Sequence, residues 1–285
     1  MATEEYRKDF NTAFKTISAK VKSYTDLFGY YDGDAPLMYS TQQLVEVFRS
    51  LDAKFTLNVC SVVIDATKER ISFQGFSTGD KDVDAKLSDL VVQQDLKNEA
   101  DETHEAALVC GEAYIIVWPE VIDGQETAKV EVFYNDPRNV HVFYDPANPR
   151  KPIYAAKLWM GDDGKSHMTL YYADRLEYYV TTRVEESESL VDEKSFIADI
   201  SRSGVIVEGD LVTWPKNPYG AIPVFHYQIE KRCNKSDIKN VVPLQNGINK
   251  LMSDMMVAAE YGAFKQRWII TNASTETLKN NPNAI

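Results

Sequence analysis

Side chains able to do acid–base or metal chemistry are present in this chain, and their spacing decides what they can do. The four histidines, His104, His141, His167 and His226, are scattered along 285 residues. His104-Glu105 lacks a histidine three places beyond the glutamate, so the two-histidine zinc pattern of a helix is missing. Each histidine reads as a structural side chain. Cys60, Cys110 and Cys233 are odd in number and without CxxC spacing, which argues against a disulfide framework and a zinc knuckle. They read as buried thiols in a reducing compartment. Asp162-Asp163 and the trio Glu185, Glu186 and Glu188 are the candidates for a two-metal nuclease centre, which needs converging carboxylates. The pair sits between glycines and the trio lies in a polar stretch, so both read as solvated loops. There is no Gly-rich phosphate loop and no GxSxG elbow. The chain is expected not to be an enzyme and to hold no cofactor or metal.

The 16 tyrosines include the pairs Tyr30-Tyr31, Tyr171-Tyr172 and Tyr178-Tyr179. Aromatics interleaved with cations stack single-stranded nucleic acid, but only Arg175 stands near these, and strand packing or a subunit interface explains them better. The densest basic patch, Lys231-Arg232-Cys233-Asn234-Lys235 leading to Lys239, admits a phosphate contact or, more commonly, a solvated linker. Across the chain 31 basic residues face 43 acidic ones, a net charge of −12. That balance opposes tight, salt-sensitive DNA binding, which needs clustered cations to displace counterions, and it favours solubility.

The elements that must position these groups are mixed. Tyr6, Phe10, Phe14 and Ile17 recur at helical spacing, and turn chemistry over residues 30–36 interrupts them. A second helix, capped by Ser40 or Thr41, carries Leu44, Phe48, Leu51 and Phe55 on one stripe. Residues 59–64 are β-branched, a helix end or a short strand, and Arg70-Ile71-Ser72-Phe73 has the look of a strand closed by Gly75. Residues 83–109 return to helical character. Short runs of strand composition follow at 113–118, 129–134, 140–144, 153–158, 168–172 and 176–181. Turns at Asp123-Gly124 and Gly161-Asp162-Asp163-Gly164 join neighbours, so the spacing predicts an antiparallel meander. Residues 181–215 are polar and acidic and read as an exposed excursion. A turn at Asn217-Pro218-Tyr219-Gly220 leads to a last strand at 222–228. No run approaches the 18 or so apolar residues of a membrane span, and the N-terminus lacks the order of a signal peptide, so a cytoplasmic, soluble protein is expected.

The final element is a helix predicted over residues 237–265, roughly 40 Å long if unbroken, with Pro243 and Gly247 marking a kink or a start near Pro243. Val241, Leu244, Ile248, Leu251, Met255, Ala258 and Gly262 alternate steps of three and four, the heptad spacing of a helix packed along its length. The first six are the expected packing positions. Between Val241 and Phe264 only Lys250, Asp254 and Glu260 are charged; they are candidates to face a channel or a neighbouring subunit. A helix so poor in charge needs neighbours, from its own chain or from others.

The order of several motifs adds a family resemblance. Asn58-Val59-Cys60-Ser61-Val62-Val63-Ile64-Asp65, then Glu69-Arg70-Ile71 and Gly75-Phe76, resembles the helix-to-strand passage near the start of tailed-bacteriophage portal proteins, siphophage type. Thr103-His104-Glu105-Ala106-Ala107-Leu108-Val109, Gly111-Glu112-Ala113-Tyr114 and Val117-Trp118-Pro119 are similar to that family's helix entering its wing sheet. Asp136-Pro137-Arg138-Asn139-Val140, Tyr144-Asp145-Pro146 and Asn217-Pro218-Tyr219-Gly220 with Ile222-Pro223-Val224 follow in the same order. Ser236-Asp237-Ile238 and the stretch Ala258 to Trp268 resemble the opening and close of the first stem helix.

The resemblance implies an α+β fold: a wing of antiparallel sheet and flanking helices over 1–230 (helices 1–57 and 83–109, strand-rich 110–230), then a stem helix over 231–267. Residues 268–285 would open a clip, with the rest of the clip, the second stem helix and the crown having no counterpart here. It also implies a dodecameric ring at a capsid vertex, a conduit through which double-stranded DNA passes without sequence-specific binding. Its partners would be the terminase large subunit, major capsid and scaffolding proteins and a head-tail adaptor. It would reside in the virion and, during assembly, in host cytoplasm. Two other readings stay open: another ring-forming head-tail joining protein, and a metal-dependent phage nuclease.

Overall fold

The computed structural model describes residues 7–34, 57–122, 125–182, 192–208, 211–229 and 235–263. The chain is α+β. A first helix, α1 (Lys8–Asp32), precedes α2 (Val59–Lys68), α3 (Lys81–Gln93) and α4 (Leu96–Cys110). Ten strands follow: β1 (Glu112–Ile122), β2 (Gln125–Asn135), β3 (Val140–Asp145), β4 (Asn148–Met160), β5 (Ser166–Tyr171), β6 (Leu176–Thr181), β7 (Phe196–Ala198), β8 (Ile206–Glu208), β9 (Leu211–Thr213) and β10 (Val224–Gln228). Helix α5 (Val242–Ala263) closes the described chain.

The strands form two main sheets and a small hairpin, not one meander. Their orders are β10-β1-β2, β3-β4-β5-β6-β7 and β8-β9, all antiparallel. The last strand was expected from its composition, but it turns back to pair with β1, matching Tyr114 to His226 and Ile116 to Val224. Alternation along the five-stranded sheet explains the layering, because successive side chains point to opposite faces. Tyr154, Ala156, Met168, Leu170 and Tyr179 face α1 and bury Phe10, Phe14 and Ile17. Ala155, Tyr171, Leu176, Val140 and Val142 face the other way, against Tyr114, Ile116 and Val224 of the smaller sheet. Helix α4 covers the far side of that sheet with Ala106 and Ala107 against Ala113 and Tyr134. Small side chains there let helix and strand backbones approach closely.

Helix α1 is the tie between two cores. Its N-terminal half lies on the five-stranded sheet, where the Phe10 and Phe196 rings sit 5.2 Å apart and both are fully buried. Truncating either to alanine is expected to cost about 3–5 kcal/mol. Its C-terminal half, through Tyr24 and Tyr30, joins Cys60 and Ile64 of α2, Leu108 and Val109 of α4, and Ile238 ahead of α5. The turn read at residues 30–36 starts later than expected: α1 runs through Tyr30 and Tyr31 and stops at Gly33, whose left-handed backbone (φ 79°) closes the helix. Beside it, Asn58 donates its amide to the Tyr31 carbonyl (2.6 Å) and accepts from the Ser61 amide (3.1 Å). One side chain thus joins the end of α1 to the start of α2. That cap also settles residues 59–64 as helix, β-branching notwithstanding.

Three further expectations change. Residues 70–73 form no strand with any described neighbour; Phe73 and Phe76 pack edge-on instead, 5.3 Å apart. The helical stretch 83–109 is two helices, broken at Asp95, which takes a left-handed backbone (φ 48°). The acidic excursion is not wholly exposed: Phe196 plugs the core and β7 adds to the large sheet beside β6. The helix expected around Leu44, Phe48, Leu51 and Phe55, the Asp123-Gly124 turn, the glutamates 185, 186 and 188 and the basic patch at 231–234 lie outside the described residues.

Near its C-terminal end, the outer edge of β2 is met by side chains. Val132 donates its amide to Gln94 Oε1 (3.4 Å), and Tyr134 donates its amide to the carboxylate of Glu99, which α4 contributes. No helix of the described residues is long and apolar enough to cross a membrane.

Candidate assembly helix and buried polar junction

The expected packing positions converge on α5, whose start is set by a turn over residues 236–241. Val241 and Val242 both donate their amides to Ile238 O (2.8 and 2.9 Å), and Ile238 is fully buried. Pro243 therefore falls in the first turn, where its missing N–H has no partner to lose. The helix starts at Val242, the start near Pro243 that the sequence also allowed, and the stretch from 237 is given to the turn.

Its faces are reversed relative to an ordinary surface helix, which buries its apolar stripe. Among the described side chains of the helix, those buried are Gln245, Asn246, Asn249 and Ser253. Leu244 (67% exposed), Leu251 (64%) and Met255 (66%) point outward, with Met252 and Ala258 also exposed. Ile248 is half-buried between the two faces. Val241, ahead of the helix, packs inward on the core formed by Tyr24, Cys60 and Leu108, so it serves its own chain. Lys250 and Asp254 pair with each other one turn apart on the exposed flank. The side chain of Glu260 lies outside the described residues.

The inward face was missed in the sequence, although a signal existed: Gln245, Asn249 and Ser253 stand four apart in a helix otherwise rich in apolar residues. Gln245 accepts from the Val59 amide (2.6 Å) and donates to the Leu57 carbonyl; Asn249 accepts from the Leu57 amide (3.1 Å). Asn246 bonds the Tyr30 hydroxyl (3.0 Å). The helix is held to α1 and α2 by polar contacts.

A second polar cluster lies where α1 meets both sheets. Glu112, the first residue of β1, is fully buried. Its carboxylate accepts from Lys20 and from Tyr24 (2.7 Å), both on α1, and from His226 Nε2 (3.1 Å) on β10. The other ring nitrogen of His226 lies 3.1 Å from the Tyr144 hydroxyl, and the ring stacks on Tyr114 at 4.6 Å. His141 Nδ1 lies 2.6 Å from Lys20 Nζ and 3.1 Å from the Tyr114 hydroxyl. Burial opposes the charge of Glu112, yet the His226 hydrogen bond and the Lys20 charge hold its carboxyl down at about 2. Burial, then the Lys20 charge, pushes the His141 imidazole down to about 3. Burial lowers Lys20 as well, against the pull of Glu112. The set links α1 to both sheets through one fully enclosed carboxylate. It acts as a joint.

The remaining histidines do not converge with these. His167 lies against Asp163 (3.1 Å) in the Gly161–Gly164 turn and stacks on Trp159, while His104 is on α4. Cys60 and Cys110 are buried and free. Among the described residues no group of three His, Cys, Asp or Glu side chains is placed to hold a metal ion. Asp162 and Asp163 sit in a turn whose Gly161 amide bonds Lys165 O (2.8 Å).

No curated protein matches the chain. The sequence profile of the family described as "Phage portal protein, SPP1 Gp6-like" matches residues 15–283, a span that runs from within α1 through both sheets and α5. The match covers well over half of the sequence, and the chain belongs to the phage portal protein family.

Proposed function

We propose that this chain is the ring-forming subunit of a capsid vertex through which double-stranded DNA is packaged and ejected. Residues 1–230 form the wing, 231–267 the stem segment whose helix is α5, and 268–285 the start of the clip. Twelve copies close the ring, with the terminase large subunit, major capsid and scaffolding proteins and a head-tail adaptor as partners. The ring assembles in host cytoplasm and ends in the virion.

The observation that carries this reading is the outward apolar row of α5. Leu244, Leu251 and Met255 are about two-thirds exposed, and apolar rows of that kind mark interaction surfaces. In a ring, Ile248 and Ala258 would extend the same contact to the next copy, with Lys250, Asp254 and Glu260 along its flank. DNA moves past without being held, because a net charge of −12 gives little counterion release.

Negative-stain microscopy tests it. The purified protein is expected to show rings with a central hole, and Leu251→Asp to abolish them, since it places an unpaired charge in the seam. Because Leu251 is exposed in the single subunit, the same variant is expected to melt within a few degrees of wild type. Full rings from Leu251→Asp would remove this helix from the seam.

A further inference from the structure

Gln245 and Asn249 sit on the buried face of a helix whose apolar row points outward, and they grip backbone. Gln245 bridges the Leu57 carbonyl and the Val59 amide, one donor and one acceptor of the same side chain. Asn249 accepts from the Leu57 amide (3.1 Å) and also from Gln245 Nε2 (3.0 Å), which ties the two amides into one unit. The groups they satisfy lie at the entry to α2, where the first helical N–H groups have no partner within the helix. Asn246, alongside, fixes Tyr30 of α1.

Hydrophobic burial alone would favour the opposite orientation. A helix rotated by about half a turn would hide Leu244, Leu251 and Met255 against the subunit. That rotation would leave the Leu57 N–H and C=O and the Val59 N–H without the amides that now satisfy them, and such groups are costly to leave unpaired. Amides are suited to choosing between the two, since their bonds are directional whereas apolar contact is not.

We propose that Gln245 and Asn249 are positioning residues that set the rotation of α5 about its axis. They keep the apolar row turned away from its own subunit and available to a second copy of the chain. The inference rests on the ring reading above, but it concerns the inward face of the helix, which touches no neighbour.

The test uses the whole chain with Gln245→Leu and Asn249→Leu together, read by hydrogen exchange at Leu57 and Val59 and by ring yield in sedimentation. The double variant is expected to stay folded by circular dichroism, to lose protection at those two amides by about tenfold or more, and to lose rings by a similar factor. Should it fail to fold, Gln245→Met, which keeps the side-chain length and removes only the amide, is judged on the same two readings. Rings at wild-type yield from a folded variant that has lost that protection would overturn the proposal. Leu251→Asp separates the two ideas, since it is expected to abolish rings while leaving Leu57 and Val59 protected. If wild type itself forms no rings, the ring reading fails and exchange alone decides the clamp: unchanged protection in Gln245→Met would end it.

Discussion

Glu112 shows what a single buried charge does in this protein. It anchors hydrogen bonds from Lys20, Tyr24 and His226, drawn from α1 and β10, and it opens β1. Removing its charge while keeping its shape, Glu112→Gln, leaves Lys20 without its counter-ion in a mostly enclosed place. A loss of about 3 kcal/mol or more is expected in urea denaturation. A companion change of Lys20 to Met should recover part of that loss, and additive losses would show that the two do not act as a pair. The pH dependence has a definite sign. His141, held near 3, stays neutral in the folded protein while an unfolded histidine takes a proton below about 6.5. The unfolded state then binds more protons, so stability falls as pH drops from about 6.5 toward 3, by at most about 1.4 kcal/mol per pH unit. Glu112, held near 2, adds a second loss between its ordinary range near 4.5 and about 2. His141→Asn keeps an acceptor for Lys20 but cannot titrate, so its stability should fall less steeply all the way from pH 6.5 to about 3, and below about 4.5 the loss that remains is the one Glu112 supplies. An unaltered slope in the upper window would assign the effect elsewhere. None of this cluster was legible in the sequence as a site. Glu112, His141 and His226 are far apart along the chain and meet only because β10 returns to β1 and β3 crosses beneath them.

Between elements, the junction of α1 and α2 is the sharpest case of local sequence fixing geometry. Gly33 holds a left-handed backbone, and a Cβ there would stand 3.3 Å from Asn58 Nδ2. Gly33→Ala is expected to cost about 1–2 kcal/mol from the backbone alone. Asn58→Ala should cost about 1 kcal/mol through the lost cap, and more because the Tyr31 carbonyl loses its donor. As the two residues touch, the double variant should cost less than the sum, and strict additivity in thermal melts would show that the contact carries no energy. Element types were readable where one periodicity dominated: Phe10, Phe14 and Ile17 gave α1, and the β-branched and aromatic runs gave β3 to β6. They were less readable where local chemistry competed. Residues 59–64 have strand composition, and the Asn58 cap decides for helix. Residues 70–73 have strand composition too, but pairing needs a partner strand that composition cannot supply. The stripe on α5 was legible as a period, whereas its direction was not. A period says that two faces differ, and Gln245, Asn249 and Ser253 determine which of them turns inward.

At the scale of the whole molecule, the layers stack as α1, the five-stranded sheet, the three-stranded sheet and α4. Fold class followed from composition and order, but the division into two sheets did not. The Tyr114–His226 match joins residues over a hundred positions apart, and Phe196 enters the core from a stretch that reads as exposed. The net charge of −12 belongs to this scale as well. Duplex DNA mixed with the protein at about 150 mM salt, where the Debye length is about 8 Å, should run unretarded in a native gel. A retarded band that disappears on adding salt would reveal a cationic surface and count against a conduit that leaves its passenger free. Finally, the closure of β2 by Gln94 and Glu99 bears on how such a protein survives being made in many copies at once. An open strand edge offers newly synthesised chains a template for fibril growth. Here that edge meets an amide and a carboxylate from the chain's own helices. Crowding can then bring copies together through the greasy face of α5 while, at Val132 and Tyr134, this margin of the sheet has its amides already taken.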